Sequence, residues 1–281
     1  MIDVIIPAYN CSNTLGATLA SLSAQTDKDF HVIVVDDCST EDISSVISGY
    51  TGQLHIQYIR NPKNVGCGMS RQVGIDCGKS SHFCFLDADD MFMPYTVEVF
   101  NAAIDDDPNL ELLCGSFYEQ AKVNGKHALI LKKDGFTWCH GKLYCRKKVE
   151  QFGIRNRHDI KFADDSFFNS MCFELLDAKK MDLPLYLYSN NPESVTRRKD
   201  DKRDREVTVD FLRAMIASCE VVLRHKPYVE HLSHTLDIAK KMGHMTDEAT
   251  ELFAILESMC RGGKNHDRNN QNTVEFDNRA R

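Results

Sequence analysis

The sequence predicts an α/β protein with a single parallel sheet and helices on both of its faces. Short apolar runs with the length and composition of buried strands recur at Val4-Ile5-Ile6 and at residues 30–35 and 83–86, and a further strand is expected at 54–59. Segments of helical periodicity separate them, and strands alternating with helices at this pace build a parallel sheet. Each run also ends in polar or charged residues, and ligands of such sheets bind at the carboxyl ends of the strands.

Taken in order, Val4-Ile5-Ile6 is a strand and Pro7-Ala8-Tyr9-Asn10 the loop after it. Leu15, Leu19 and Leu22 then recur at helical spacing up to Gln25. The second strand, 30–35, runs into Asp36-Asp37-Cys38-Ser39-Thr40, and a helix around 42–50 and a strand at 54–59 follow. The loop Asn61-Pro62-Lys63-Asn64-Val65-Gly66-Cys67-Gly68 leads into a helix carrying Arg71, and the strand 83–86 completes the series. Tyr9, Asp37 and the acids after residue 86 therefore lie past the ends of their strands at one edge. Arg71 joins them if its helix points its N-terminus the same way.

Phe85-Leu86-Asp87-Ala88-Asp89-Asp90 places three carboxylates in four positions directly after a buried strand. Carboxylates there can hold a hard divalent cation, Mg²⁺ or Mn²⁺, that completes its shell with substrate phosphates. A plain strand stop is the other reading, with Asp89 or Asp90 capping the helix that begins near Met93-Pro94-Tyr95. A second acid pair, Asp164-Asp165, precedes Phe167, Phe168, Met171 and Leu175 and marks the start of a helix, which favours negative charge at that end. Beyond Pro192 the charged run 197–205 reads as a linker or an exposed helix start. Phe211, Met215, Cys219 and Val222, then Leu232, Leu236 and Ala239, then Leu252, Leu256 and Met259, predict two or three C-terminal helices.

With 281 residues, 42% of them hydrophobic and 27% charged, the chain can bury a full core. No apolar run reaches the length of a membrane span and no leader precedes the first strand, so a cytoplasmic protein is expected. Eleven cysteines form no CxxC pair and no zinc spacing, which fits a reducing compartment rather than a disulfide framework. The net charge of −7 hides an asymmetry: between residues 132 and 161 nine Lys and Arg face three acids. Such a tract suggests a polyanionic partner, although solvated surface produces charge runs too.

In sequence order, Ile5-Ile6-Pro7-Ala8-Tyr9-Asn10, Thr18-Leu19-Ala20-Ser21-Leu22 with Gln25-Thr26, Val34-Val35-Asp36-Asp37-Cys38-Ser39-Thr40, Asn64-Val65-Gly66 with Arg71, and Phe85-Leu86-Asp87-Ala88-Asp89-Asp90 resemble the family 2 glycosyltransferases of the GT-A fold. Weaker landmarks, residues 138–144, Asp164-Asp165 and Ser194-Val195-Thr196, extend the resemblance to residue 200 or so. It implies a nucleotide-diphospho-sugar transferase domain at 1–200, with sugar-nucleotide binding in 1–115 and acceptor binding in 116–200. C-terminal helices at 201–262 and a mobile tail at 263–281 would follow. Also implied are a sugar donor, a UDP-sugar foremost, a cofactor Mn²⁺ or Mg²⁺, and inversion at the anomeric carbon. Pro7 and Tyr9 would line the nucleoside pocket, Asp37 would accept from the base, and Arg71 would face the diphosphate. Asp87 would lie near the ribose or the metal's water shell, Asp89 would bind the metal, and Asp165 would be the general base. The family usually has Glu-Asp where this chain has Asp164-Asp165, and Asp165 matches the aspartate by position.

Trp138, His140, Lys142 and Asp164 fall on the expected acceptor side. Together with the basic tract they suggest an anionic acceptor, either a phosphate-linked glycan or DNA carrying hydroxymethylated bases, as in viral DNA-modifying glycosyltransferases. A non-catalytic sugar-nucleotide sensor would use the same pocket without turnover. A cytidylyltransferase-like enzyme would need a Gly-rich phosphate loop after the first strand, where this chain has Pro7-Ala8-Tyr9-Asn10. A haloacid-dehalogenase-type phosphatase would carry its nucleophile after the first strand, and a Rossmann oxidoreductase would need more than the misplaced Gly66-Cys67-Gly68.

Overall fold

Four of the expected strands are present as β1 (Ile2–Ala8), β2 (Phe30–Asp36), β3 (Ile56–Arg60) and β4 (His82–Phe85), paired in parallel in the order β3-β2-β1-β4. The computed structural model describes residues 1–123, 125–133, 138–189, 201–226, 229 and 246–264, and every structural statement concerns these. The crossovers carry α1 (Leu15–Ser23), α2 (Ser44–Ser48) and α3 (Cys67–Cys77). Side chains alternate across the strands. Val4, Ile6, Val32, Val34 and Cys84 face a core shared with Leu15, Leu19 and Leu22 of α1. Ile5, Ile33, Val35, Phe83 and Phe85 face a second core that includes Ile75 of α3. Both faces of β1, β2 and β4 are covered, which is why their runs read as continuously apolar, while β3 at the sheet edge is largely open. The helix expected at 42–50 shortens to α2 because the Asp42 carboxylate accepts from the backbone amides of Ser44 and Ser45 just before it.

The second half departs from an all-parallel sheet. It comprises β5 (Met91–Phe92), α4 (Thr96–Asp106), β6 (Leu112–Val123), β7 (Lys126–Lys132), β8 (Lys142–Cys145), α5 (Arg146–Gln151), α6 (Asp164–Leu175) and β9 (Ala178–Tyr188). β8 runs antiparallel to β4 and β6, and β6 turns back as the hairpin strand β7 through Gly125, whose φ of 76° suits a tight turn. Nine strands of the described residues make one mixed sheet in the order β3-β2-β1-β4-β8-β6-β9-β5, with β7 beside β6. β5 overturns the helix-cap reading of Asp90. It pairs with β9, so α4 starts only at Thr96, too far on for Asp90 to cap it.

Two further helices follow: α7 (Asp201–Val222) lies on α6, and α8 (Asp247–Lys264) lies on α7. Phe211, Leu212, Met215 and Cys219 of α7 and Leu256 of α8 join Phe167, Phe168 and Met171 of α6 in the same apolar cluster as the sheet. Burying such side chains contributes about 1.5–3 kcal/mol each, which ties these helices to the core. Leu232, Leu236 and Ala239, Ser194-Val195-Thr196, and 265–281 of the expected tail lie outside the described residues. Among the described residues no helix is long and apolar enough to cross a membrane.

One buried ion pair staples β1 to the far ends of α3 and β8. The Asp3 carboxylate accepts from Ser80 N at 2.9 Å, Ser80 Oγ at 2.7 Å and Arg146 Nη2 at 2.7 Å, while Arg146 also donates to the carbonyls of Ser80 and Ile75. Arg146→Met would leave Asp3 buried without its cation. Urea unfolding should show a loss of about 3 kcal/mol, and a loss under 1 kcal/mol would mean that the staple is marginal.

Candidate active site

The loops at the carboxyl ends of β1, β2 and β3 are braced by side chains that replace regular ladder bonds. Asp36 is fully buried and accepts from Ser39 N at 2.8 Å, Tyr58 Oη at 2.7 Å and the Arg60 guanidinium. Burial opposes its ionisation, but these hydrogen bonds prevail and hold the carboxyl below its usual range. Asp37 clasps the loop ahead of α3. Its Oδ1 accepts from Asn61 Nδ2 and Val65 N, both at 2.9 Å, and its Oδ2 accepts from Gly66 N at 2.8 Å. Gly66 has φ 91°, a conformation that costs a residue with a Cβ and not glycine. Asn10 sits in the left-handed region at φ 47°, accepts from Ser39 Oγ's neighbour Thr40 N at 2.8 Å, and donates its own amide to Ser39 Oγ at 3.0 Å. This bracing leaves Tyr9, 50% exposed, standing at the edge above the buried Pro7.

Arg71 is only 4% exposed and joins the two halves of the site. Its Nη1 donates to Asp164 Oδ2 at 2.6 Å and to Asp165 Oδ1, and its Nη2 donates to Asp87 Oδ1 at 2.7 Å. The guanidinium lies over the Phe85 ring, 5.6 Å from its centroid. Arg71, expected to face a diphosphate, is surrounded by carboxylates from the end of β4 and the start of α6. The three acids respond differently. Burial works against an ionised Asp87, but Arg71 outweighs it and keeps that carboxyl below the usual range. Burial dominates at Asp165, against Arg71 and with Asp164 adding, and pushes it up to about 7. Asp164 is raised by burial as well. Asp165 keeps 26% of its side chain open and Asp164 only 12%, and a Cβ on Gly68 of α3 would stand 2.7 Å from Asp164 Cβ. Asp164 therefore packs against α3, and Asp165 is the more exposed of the two acids.

Across Asp87 lies a group of polar and aromatic residues. His140 stacks on Tyr186 at 4.5 Å and on Tyr188 at 5.0 Å, with Nε2 4.0 Å from Asp87 Oδ2 and Nδ1 without a hydrogen-bond partner. Burial lowers its pKa to about 4 despite Asp87, so the imidazole is neutral. Tyr186 Oη donates to Asp90 Oδ2 at 2.6 Å and accepts from Asp87 N at 3.2 Å, while Asp90 Oδ1 accepts from Ser189 N at 2.7 Å. Burial, with Asp87 and Asp89 nearby, raises Asp90 well above the usual range. Asp87, Asp90 and His140 each offer a ligand atom within 4.8 Å of the others. Asp89, the expected metal ligand, is not in this group; it stands half-buried on the turn between them. Asp87, Asp90 and His140 make a donor set that suits a divalent cation, although both Asp90 oxygens already accept, from Tyr186 and Ser189.

On the expected acceptor side the structure is selective. Trp138 is 42% exposed and meets Phe117 edge-on at 5.4 Å, leaving its indole face open. Lys142 is buried instead, its Nζ donating to Trp138 O at 2.7 Å over the Phe173 ring, so it braces Trp138 and is withdrawn from any acceptor. Much of the basic tract is likewise neutralised internally: Lys132 pairs with Glu119, Lys133 with Asp182, Arg146 with Asp3, Lys148 with Glu111, Arg155 with Asp76 and Arg157 with Asp159. The tract therefore gives little support to a polyanionic acceptor, whether glycan phosphate or DNA. Tyr186 and Tyr188 were missed from sequence. Their spacing of two in a strand puts them on one face, but only the pairing of β9 with β6 and β5 brings that face to Asp87.

The family model described as glycosyl transferase family 2 matches residues 3–176. An uncharacterized glycosyltransferase of Haemophilus influenzae is 36% identical over 138 residues, 49% of this chain and 42% of that protein. The uncharacterized glycosyltransferase EpsJ of Bacillus subtilis is 25% identical over 224 residues, 70% of this chain and 63% of that protein. The chain thus spans under two thirds of either relative. Among solved structures, S. aureus TarS 1-349 in complex with UDP-GlcNAc superposes with a TM-score of 0.64 at 19% identity, over 79% of this chain and 70% of TarS. The mannosyltransferase PcManGT of Pyrobaculum calidifontis, in complex with GDP-Man and Mn²⁺, does so with a TM-score of 0.57 at 12% identity, over 94% and 75%. At these identities the likeness speaks to the fold, which is GT-A.

Removing the central cation exposes the balance of charge. Arg71→Met should destabilise the protein by about 3 kcal/mol at pH 8, where Asp87 and Asp165 are ionised, and by clearly less at pH 5, where the unpaired acids can take up protons. Urea unfolding at the two pH values measures this. Equal losses would show that the carboxylates do not depend on Arg71.

Proposed function

Since the chain belongs to glycosyl transferase family 2, we propose that it is a metal-dependent, inverting glycosyltransferase that moves a sugar from a nucleotide-diphospho-sugar to a hydroxyl acceptor. The observation that carries this is Arg71, which holds an ionised Asp87 on one nitrogen and an Asp165 near pKa 7 on another. Direct displacement at the anomeric carbon needs a charge-neutralising side for the departing diphosphate and a base on the opposite face for the incoming hydroxyl. One guanidinium fixes the spacing of the two.

In this reading Tyr9 packs against the nucleobase over Pro7, and the Oδ2 of Asp37, which accepts from Gly66 N, keeps a lone pair for a base N–H. Asp87 and Asp89 would hold the Mn²⁺ or Mg²⁺, which when bound neutralises charge on the phosphates. Asp165 takes the proton of the acceptor hydroxyl as that oxygen bonds to the anomeric carbon and the bond from that carbon to the phosphate oxygen breaks. A group with a pKa of about 7 can hold that proton at neutral pH and release it afterwards. Trp138 offers the open aromatic face on which an acceptor sugar ring can lie. The UDP of the solved relative makes a UDP-sugar the first donor to try.

Two outcomes test this. Asp165→Asn should lower kcat by about 10²-fold or more and leave binding of the sugar nucleotide within a factor of about 2, because only proton transfer is lost. In the wild type kcat/KM should rise with pH through about 7 to a plateau, since the base acts ionised, and the variant should lack that limb. Near-normal turnover of Asp165→Asn would remove the base assignment. Separately, excess EDTA should abolish transfer and added Mn²⁺ restore it, with Asp89→Asn requiring about 10–100-fold more Mn²⁺. Undiminished transfer in EDTA would rule out the metal-dependent form.

A further inference from the structure

α6 starts without a local cap: its N-cap residue is Ala163, which has no side chain to accept from the first turn. The entering backbone is held from another helix. Asp210 of α7 is buried, and its Oδ2 accepts from the amides of Lys161 at 3.0 Å, Phe162 at 2.7 Å and Ala163 at 3.2 Å. These three residues immediately precede Asp164 and Asp165. The same two helices are joined further along by Ser218 Oγ, which donates to Phe167 O at 3.2 Å, and by the packing of Phe211 and Met215 on Phe167 and Met171. On its other side the start of α6 is fixed by the contact of Asp164 with Gly68.

We propose that Asp210 is a positioning residue for the transfer reaction: by gathering three successive amides, it sets where α6 begins and so where Asp165 projects. The proposal rests on the reading of Asp165 as the base. α7 lies beyond the residues matched by the family model, 3–176, so the segment C-terminal to that match would contribute to the geometry of the catalytic acid. A misplacement of about 1 Å at a reacting group can cost on the order of 10²-fold in rate, so an anchor of this kind acts on turnover before it acts on binding. Pro7, Tyr9 and Asp37 stand on the β1 and β2 side and have no contact with Asp210, so the pocket for the nucleotide should not register its loss.

The test compares wild type, Asp210→Ala, Asp210→Asn and Asp165→Asn in full-length protein, by steady-state kinetics with varied sugar nucleotide and by amide hydrogen exchange of residues 161–163. Asp210→Ala should lower kcat about tenfold or more with the sugar-nucleotide KM within about twofold, and should speed exchange at the three amides. Asp210→Asn keeps a neutral acceptor, weaker than the charge-assisted one, and should fall between the two with a loss of about threefold. If Asp210→Ala does not fold, Asp210→Asn carries the comparison. Unchanged kcat in the folded variants, or exchange at 161–163 equal to wild type, overturns the proposal. A full-activity Asp165→Asn would instead overturn the base assignment, and the exchange data would still decide whether Asp210 anchors the helix.

Discussion

A buried guanidinium needs anions around it, and Arg71 obtains them from both halves of the molecule. Its partners stand at the end of β4 and the start of α6, segments that are remote in sequence and meet only in the fold. Phe85, Phe83, Tyr144 and Phe168 form an aromatic floor below the cation, with Phe85 and Phe168 edge-on at 5.7 Å. Removing water from this place strengthens the attraction of unlike charges and penalises any charge left alone. The arrangement therefore sorts the acids. Asp87, with Arg71 close and His140 beyond it, stays ionised, while Asp165, beside Asp164 as well as Arg71, is held near neutrality.

The edge on which the site lies was legible because it follows from local facts. Apolar runs fixed the first four strands, and polar residues just beyond them had to collect where those strands end. Tyr9, Asp37, Asp87 and Asp165 all reach that edge. What the sequence could not convey was pairing at a distance. Asp90 resembles a helix cap until β5 and β9 are seen to pair and enclose it. Lys142 and the tract around it look like a basic surface until Trp138 O, Asp3, Glu111 and Asp76 are found beside those cations. Arg71 presents the same lesson at the centre of the site, since a cation near presumed phosphates is expected to face them, and three acids had the prior claim. Asp210 gave no signal, because a single acid in an amphipathic helix looks like any other until the amides it binds are located.

The helices after residue 200 enter this picture through packing. α7 completes the core against α6 and α8 packs on α7, and the backbone entering α6 is held by a carboxylate that α7 supplies. Under the proposed function the sheet edge would provide the nucleotide side, and the α6–α7 pair the side from which a hydroxyl would be activated. They are braced differently, the former by β-strand ends and the latter by helix contacts, and Arg71 is the link between them.

The clasp around Asp37 bears on the thermodynamics of ligand capture. Ordering a loop residue costs roughly 1–2 kcal/mol of backbone entropy, and a loop that freezes only when its ligand arrives subtracts that cost from the affinity. Residues 61–66 are immobilised in advance by four hydrogen bonds to Asp37, one of them from the Asn64 side chain to its carbonyl. A nucleotide bound here, as proposed, would meet a wall that has already lost its freedom. Its encounter is that of a rigid key with a rigid recess, and association should be governed by diffusion and charge rather than by waiting for a loop to fold.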